Sequence, residues 1–248
     1  MATVKVTMQG ATAVLRLDNG TTNAISSKLV DDLAAALAQV RASAGGLVLA
    51  GNSKFFSIGL NLPELIAFDR AAIVDFFTRF DQLTFDLYTL PLPTASAMTG
   101  HAVAGGGVLA LTCDFRFAAA GKKLIGFNEA TIGLPVPYLP DLSLRQLVGD
   151  RAATEMLYHG RFMPVDRAGE IGLVDSILPQ VEVEEQAIAT INSLAAQPRK
   201  AFSLIKESRT DTVRTTYERH NRAKLCRMLD CWFEDSVQTL LRAAAEKF

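Results

Sequence analysis

An uncharged stretch at residues 87–113 is the feature that most constrains how this chain can fold. As a single helix it would be long enough to cross a bilayer. However, Pro91, Pro93, Gly100 and the glycine run at 105–107 interrupt it, and each interruption would leave backbone groups unpaired in hydrocarbon. We therefore predict a buried strand, loop and helix inside a globular protein, with no membrane among its partners.

The composition of the chain agrees with a folded globular protein. Of its 248 residues, 49% are apolar and 21% are charged, which is far from the disordered and disulfide-rich classes. The formal net charge is −1, so no overall field attracts phosphate backbones and nucleic acid is not expected as a partner. The first residues lack a basic region followed by an apolar run, which predicts no signal peptide and a cytoplasmic protein.

The cysteines predict neither a disulfide framework nor a metal site. Cys113, Cys226 and Cys231 are odd in number and lack zinc-ligand spacing relative to the three histidines. We therefore expect a reduced compartment, with the thiols serving as core residues.

Hydrophobic periodicity predicts an α/β fold. Residues 2–8 and 11–17 alternate in the strand period and predict a hairpin, and an amphipathic helix follows from Ser26 or Ser27. Further helices are predicted at 69–90, 108–112, 144–158 and 165–171, and further strands at 47–50, 94–98, 115–119, 124–127, 173–174 and 176–178. Because the chain is helix-biased after residue 182, we predict an α/β core over 1–182 and a helical region over 183–248.

Two turns are predicted to present backbone N–H groups at one edge of a parallel sheet. The glycine run at 105–107 lies between a predicted strand and a predicted helix, where free N–H groups meet a positive helix end. A second turn, at 54–62, follows the buried strand at 47–50. Loops after parallel strands gather at one edge, so the N–H groups of Ile58 and Gly105 are predicted to form an oxyanion hole. For the glycine run alone, tight backbone packing is the alternative.

Glu129 is the candidate general base. It lies in the mainly apolar segment 124–135, where desolvation would raise the pKa of the carboxyl group toward neutrality. The alternative is an exposed glutamate that begins a turn. The sequence contains no nucleophile elbow, phosphate-binding loop or zinc-binding helix motif, which removes support for those enzyme classes.

Six segments, taken in order, resemble the crotonase superfamily, which comprises the enoyl-CoA hydratases and isomerases. They are residues 23–25, 56–62, 100–106, 109–114, 126–129 and 168–175. The resemblance implies a crotonase-like spiral of ββα repeats, a C-terminal helical trimerisation region and coenzyme A thioester substrates. It also implies a homotrimer or dimer of trimers, and no separate cofactor because coenzyme A is part of the substrate.

The resemblance also assigns roles to individual residues. It implies that Ile58 and Gly105 supply the oxyanion-hole N–H groups. Two positions depart from the usual pattern, since Ile58 replaces a small alanine and Asn61 replaces aspartate. The other substrate-binding residues that it implies are Gly59, Leu60, Asn61, Leu62, Val108 and Asn128.

One of these positions separates the two main reactions of the superfamily. Hydratases of this kind use two glutamates, one matching Glu129 and one matching Val108. Hydration needs groups that position and deprotonate water, whereas moving a double bond can use one base that takes and returns a proton. We therefore predict an isomerase that converts 3-enoyl-CoA into trans-2-enoyl-CoA. Residues 109–114 and 126–129 also look most like those of the Δ3,Δ2-enoyl-CoA isomerases, and that resemblance implies a role in fatty acid β-oxidation.

Two other functions remain open on the sequence alone. One is a hydratase, or another acyl-CoA enzyme, that recruits Glu64 or Asn128 as its second polar group. The other is a catalytically poor acyl-CoA-binding protein in which Glu129 is structural.

The trimer prediction has a second argument besides the resemblance. The last helices carry an apolar face that a single globular chain does not have to bury alone. This face consists of Leu225, Met228, Leu229, Trp232 and Phe233.

Overall fold

The computed structural model describes residues 2–247, whose strands form two sheets. Numbered along the chain, the strands are β1 (Val4–Gln9), β2 (Thr12–Leu17), β3 (Gly46–Ala50), β4 (Phe55–Ser57), β5 (Thr94–Met98), β6 (His101–Val103), β7 (Phe115–Ala119), β8 (Leu124–Gly126), β9 (Phe162–Pro164) and β10 (Ser176–Leu178). The larger sheet has the order β1-β2-β3-β5-β7-β10. In it, β1 and β2 form the predicted antiparallel hairpin and the other neighbours pair in parallel. The predicted α/β class is confirmed.

The helices largely follow the predicted periodicity. They are α1 (Ser27–Ser43), α2 (Leu62–Leu65), α3 (Arg70–Tyr88), α4 (Gly105–Leu111), α5 (Tyr138–His159), α6 (Val165–Glu170), α7 (Val183–Ala195), α8 (Arg199–Trp232) and α9 (Asp235–Ala245), with a 3-10 helix over Glu129–Ile132. Ser26 caps α1 by accepting a hydrogen bond from the N–H of Leu29, and Asp69 caps α3 in the same way. No helix within residues 2–247 is both long and apolar enough to cross a membrane.

Three boundaries differ from the prediction. The glycine run is the first turn of α4 and not a loop before it, because its backbone is already helical at Gly105. Helix α5 begins at Tyr138, six residues earlier than the predicted 144, and contains a break at Gly149. Residues 173–174 form no strand, since the N–H groups of both residues bond to the carbonyl of Ala168.

The smaller sheet, with the order β4-β6-β8-β9, was not predicted. Its strands have three residues each, and two of them lie inside segments that the sequence indicates as turns. A long strand of the larger sheet is followed by a short strand of the smaller sheet and then by a helix, three times in succession. These units are β3-β4-α2, β5-β6-α4 and β7-β8 with the 3-10 helix, and they form the expected spiral of ββα repeats.

The C-terminal helices pack against the rest of the chain. Val183, Ala187 and Ile191 of α7 are buried against residues of the larger sheet. Met228 and Trp232 of α8 are 4% and 1% exposed and belong to the main core. The apolar face proposed for a second subunit is therefore mostly buried within the chain, so that argument for a trimer is wrong. The boundary at residue 182 stays a prediction.

The glycine run allows α4 to touch the backbone of β4. A Cβ atom added to Gly106 would lie 2.2 Å from the carbonyl oxygen of Ser57, far inside van der Waals contact. This contact supports close backbone packing as one reason for the run. It also places the first residue of α4, Gly105, against the turn that follows β4, where a Cβ on Gly59 would lie 2.9 Å from the Gly105 nitrogen.

Gly106→Ala is expected to lower the free energy of unfolding by about 1–3 kcal/mol, because the new methyl group must push α4 away from β4. Gly105→Ala is the matched control. Its Cβ would meet the Cδ1 atom of Ile25 at 3.0 Å, which is the end of a flexible side chain. Denaturant titration of both variants measures the difference, and equal losses would contradict the packing argument.

Candidate active site

A cavity of about 530 Å³ lies where β4, β6 and β8 end. The turn after β4 forms one wall, the start of α4 and the 3-10 helix form others, and α9 covers one side. Its lining residues are Ile58, Leu60, Leu62, Val103, Ala104, Gly105, Asn128, Glu129, Thr131, Ile132, Leu134, Phe162, Leu240, Ala243, Ala244 and Lys247. We call this space the outer cavity.

A second, narrow space of about 20 Å³ continues from the outer cavity toward the core. The two spaces share Leu60, Gly105, Glu129 and Leu134. The remaining walls of this inner pocket are apolar and are formed by Phe77, Phe80, Val108, Pro135, Pro137 and Met228. Glu129 therefore stands where a wide cavity meets a narrow apolar one.

The carboxyl group of Glu129 is buried among these apolar walls. The residue is 8% exposed, and its Oε2 atom has no hydrogen-bond partner in the structure. Burial raises the pKa of Glu129 from 4.5 to about 7, although backbone hydrogen bonds at Glu129 and Asn128 act in the opposite direction. A carboxyl group in this state can both accept and return a proton near neutral pH.

The backbone donors differ from the prediction at one position. The N–H of Ile58 donates to the carbonyl oxygen of Thr22 at 3.0 Å, so it is not available to a ligand. The prediction that Ile58 supplies an oxyanion-hole N–H is therefore wrong, although its side chain does line the outer cavity.

Two other N–H groups at the cavity are unpaired. Ile25 pairs with Leu60 through a parallel bridge, in which the N–H groups of Ile25 and Asn61 donate and that of Leu60 does not. Gly105 is the first residue of α4, so its N–H has no partner within the helix. Among residues 2–247, no backbone carbonyl in a turn, loop or cap accepts a hydrogen bond from the N–H of Leu60 or of Gly105. Leu60 and Gly105 thus present the N–H groups that a ligand in the cavity can use.

The predicted polar residues separate into two sets. Asn128 lines the outer cavity, and its Oδ1 atom is buried without a partner. Asn61 lines neither space, because its Nδ2 donates to Glu64 Oε2 at 2.8 Å. Glu64 Oε1 in turn accepts from the N–H of Ser27 at 3.0 Å, so this carboxylate caps α1 and does not face the site.

The predicted apolar residues are brought together at the same place. Leu62 lines the outer cavity and Val108, 1% exposed, lines the inner pocket beside Glu129. Gly59 lines neither space, but its backbone φ of 103° forms the turn that places Leu60 beside Gly105.

Sequence reasoning missed the walls contributed by distant helices. Phe77 and Phe80 come from α3, Met228 comes from α8, and Ala243 and Lys247 come from α9 and the residues after it. In the sequence, the apolar residues of this set recur at helical spacing, which indicates a buried core as readily as a binding site. The sequence therefore contains no signal that marks them as site residues. Among residues 2–247, no group of three or more metal-ligating side chains is present.

Comparison with known proteins gives the same family throughout. The family model for enoyl-CoA hydratase/isomerase matches residues 7–247. Mitochondrial enoyl-CoA delta isomerase 1 of Homo sapiens is 27% identical over 239 residues, covering 95% of this chain and 79% of that protein. A putative enoyl-CoA hydratase of Thermus thermophilus is 33% identical over 190 residues, covering 75% of this chain and 74% of that protein.

The fold comparison agrees. The crystal structure of human mitochondrial delta3-delta2-enoyl-CoA isomerase superimposes with a TM-score of 0.94 at 28% identity, covering 99% of this chain and 97% of that one. The resemblance inferred from the six sequence segments is thereby confirmed, and the chain belongs to the enoyl-CoA hydratase/isomerase family, the crotonase family of acyl-CoA enzymes.

Proposed function

We propose that this enzyme moves the double bond of a 3-enoyl-CoA to the trans-2 position. One observation carries the proposal: among the described residues that line the outer cavity and the inner pocket, Glu129 is the single acidic side chain. The position of a second glutamate is occupied by Val108, which is apolar and buried. The name of the human relative, a delta isomerase, supports the same reaction.

The reaction follows from these positions. The Glu129 carboxylate takes a proton from C2 of the substrate, and the electrons move into a dienolate whose negative charge lies on the thioester oxygen. The N–H groups of Leu60 and Gly105 stabilise that oxygen, in place of the pair predicted from the sequence. The Glu129 carboxylic acid then returns the proton at C4, so that the double bond moves and no atom is gained or lost.

We propose that the enzyme uses no separate cofactor. Coenzyme A is part of the substrate, and the proton shuttle needs no further cofactor. The cytoplasmic location stays a prediction, and the name of the human relative places that protein in mitochondria.

A hydratase is the second candidate, and one observation favours it. Asn128 lines the same cavity as Glu129, and its Oδ1 atom, unpaired among residues 2–247, can hold a water molecule by accepting a hydrogen bond. An amide cannot take a proton from that water, so Glu129 alone would have to do so. Glu64, the other residue considered for this role, is engaged by Ser27 and Asn61.

Glu129→Gln is expected to lower kcat for 3-enoyl-CoA isomerisation by about 10²–10⁴-fold, because the variant keeps the shape of the side chain and loses the base. Glu64→Gln is the matched control and should retain activity, since this carboxylate only accepts hydrogen bonds near the start of α1. Steady-state kinetics with a 3-enoyl-CoA measures both. A Glu129→Gln enzyme that loses less than about tenfold, or 1.4 kcal/mol, would disprove the assignment.

The same variant has a stability signature. Because folding raises the pKa of Glu129 from 4.5 to about 7, protonation of this carboxyl group favours the folded state. The resulting contribution to stability is fully present below pH 4.5 and is lost as the pH rises through about 7. The glutamine variant does not titrate, so its stability relative to wild type should increase between pH 4 and 9, by up to about 3 kcal/mol. Denaturant titrations across this range provide the measurement.

Val108→Glu is expected to raise hydration of a 2-enoyl-CoA more than it raises isomerisation, because it places a second carboxylate in the pocket of Glu129. The two carboxylates repel each other and raise the higher apparent pKa of the pair, so the gain should depend on pH. Val108→Gln, which cannot act as a base, is the control. If folded Val108→Glu protein binds acyl-CoA yet hydrates nothing between about pH 6 and 9, the missing glutamate does not determine the reaction.

We also propose that the enzyme is a homotrimer or a dimer of trimers. With the C-terminal apolar face buried, the available support is the family membership and an exposed apolar pair on α8, Leu204 and Ile205. These side chains are 53% and 62% exposed. Light scattering at micromolar concentration is expected to give three or six subunits, and a monomer would contradict the proposal.

A further inference from the structure

A third space, of about 360 Å³, lies directly beyond the inner pocket. It is enclosed by α3, α5 and α8 and by the segment that leads into α5. We call it the distal cavity, and its lining residues are Asp81, Pro135, Val136, Pro137, Tyr138, Asp141, Asn221, Lys224, Leu225, Arg227, Met228 and Cys231.

The three spaces form a series. The outer cavity and the inner pocket meet at Glu129 and Leu134, and the inner pocket and the distal cavity share Pro135, Pro137 and Met228. The inner pocket, at about 20 Å³, has room for about one water-sized group, whereas the spaces on either side are many times larger. The inner pocket is therefore a constriction between the outer cavity at Glu129 and the distal cavity.

Met228 is the flexible side chain between that constriction and the distal cavity. The ring of Phe77 packs edge-on against Trp232 at 5.3 Å, and the ring of Phe80 stacks on Phe76 at 6.1 Å, so both aromatic walls are held by neighbours. The two prolines contribute walls with little freedom to move. Met228 is 4% exposed, unbranched and apolar, and it separates the inner pocket from the distal cavity.

We propose that Met228 closes the far end of the acyl-binding pocket and restricts this enzyme to short-chain enoyl-CoA substrates. The inference rests on the proposed function, since it takes C2 and C4 of the substrate to lie at Glu129. The inference further takes the coenzyme A part of the substrate to fill the outer cavity, which leaves the inner pocket for the acyl tail. With C4 at Glu129 and room for about one further group in the inner pocket, a tail longer than about six carbons would need the space that the Met228 side chain occupies.

The distal cavity is suited to receive a longer tail once Met228 is shortened. Leu225 and Val136 give it apolar walls beside the constriction. Farther out, Lys224 and Arg227 are exposed, so the cavity opens at the surface and imposes no second limit on length. The buried Asp81 does not oppose this, because its Oδ2 atom is paired with Asn221 Nδ2 at 3.0 Å.

The test compares chain-length profiles. We would measure kcat/KM for 3-enoyl-CoA substrates of four, six, eight, ten and twelve carbons with wild type, Met228→Ala and Leu225→Ala. Leu225 lies on the same helix and lines the distal cavity but not the inner pocket, so its truncation removes a similar volume without opening the path. Wild type and Leu225→Ala are expected to favour four to six carbons. Met228→Ala should raise the ratio of kcat/KM for ten carbons over six by at least about tenfold.

A binding measurement separates this inference from the proposed reaction. Saturated butanoyl-CoA and decanoyl-CoA have no double bond to move, so their calorimetric affinities report on the pocket even if the enzyme isomerises nothing. A shift toward decanoyl-CoA in Met228→Ala, without isomerisation by wild type, would support the constriction and reject the isomerase.

Two results would overturn the inference. One is a wild-type enzyme that turns over or binds ten-carbon chains as well as six-carbon chains. The other is an unchanged chain-length ratio in Met228→Ala. Should Met228→Ala fail to fold, Met228→Val takes its place, because it shortens the side chain while keeping the core apolar, and an unchanged ratio in that variant has the same meaning.

Discussion

The site depends on the contact between the first turn of α4 and the backbone of β4. Gly106 brings the helix so close to Ser57 that no side chain fits between them, and this places Gly105 beside the turn that contains Leu60. Buried polar bonds hold the other side of β4, where Asn23 Nδ2 donates to the carbonyls of Phe55 and Phe56 and Ser57 Oγ donates to the carbonyl of Asn23. The N–H groups of Leu60 and Gly105 are thus held in position by backbone packing and by these hydrogen bonds before any ligand binds.

The chemistry of the site comes from burial more than from charge pairing. The walls around Glu129 include aliphatic and aromatic side chains from α3, α4 and α8, and desolvation is the largest influence on its pKa. The same walls determine what the enzyme can hold, because Val108 and Met228 border the inner pocket together with Glu129. Under the two proposals, reactivity and substrate size are set by one group of packed residues, and substitutions made to alter one property are expected to affect the other.

Much of the fold and the position of Glu129 could be predicted from the sequence, and the failures have physical reasons. The hairpin, α1, α3 and the longer strands have clear periodicity or capping residues. Of the three-residue strands in the smaller sheet, β8 lies within the predicted strand at 124–127, whereas β4, β6 and β9 have no such signal, since they are held by partners far away in the chain. The prediction of Ile58 as an N–H donor failed because it depends on the direction of a backbone N–H group. That direction is set by the left-handed turn at Gly59 and the bridge to Ile25, which residue types alone do not reveal.

The lack of a hydrogen-bond partner for Glu129 Oε2 affects where a deuterium label on the substrate is found in the product. The atom has no hydrogen-bond partner among residues 2–247, and the residue is 8% exposed, so no neighbouring protein group is in place to carry away a proton held there. In the proposed isomerisation, a deuterium atom removed from C2 is then expected to be delivered to C4 of the same molecule whenever the reaction step is faster than exchange with solvent. The product then carries the label of its own substrate, even when the reaction is run in ordinary water.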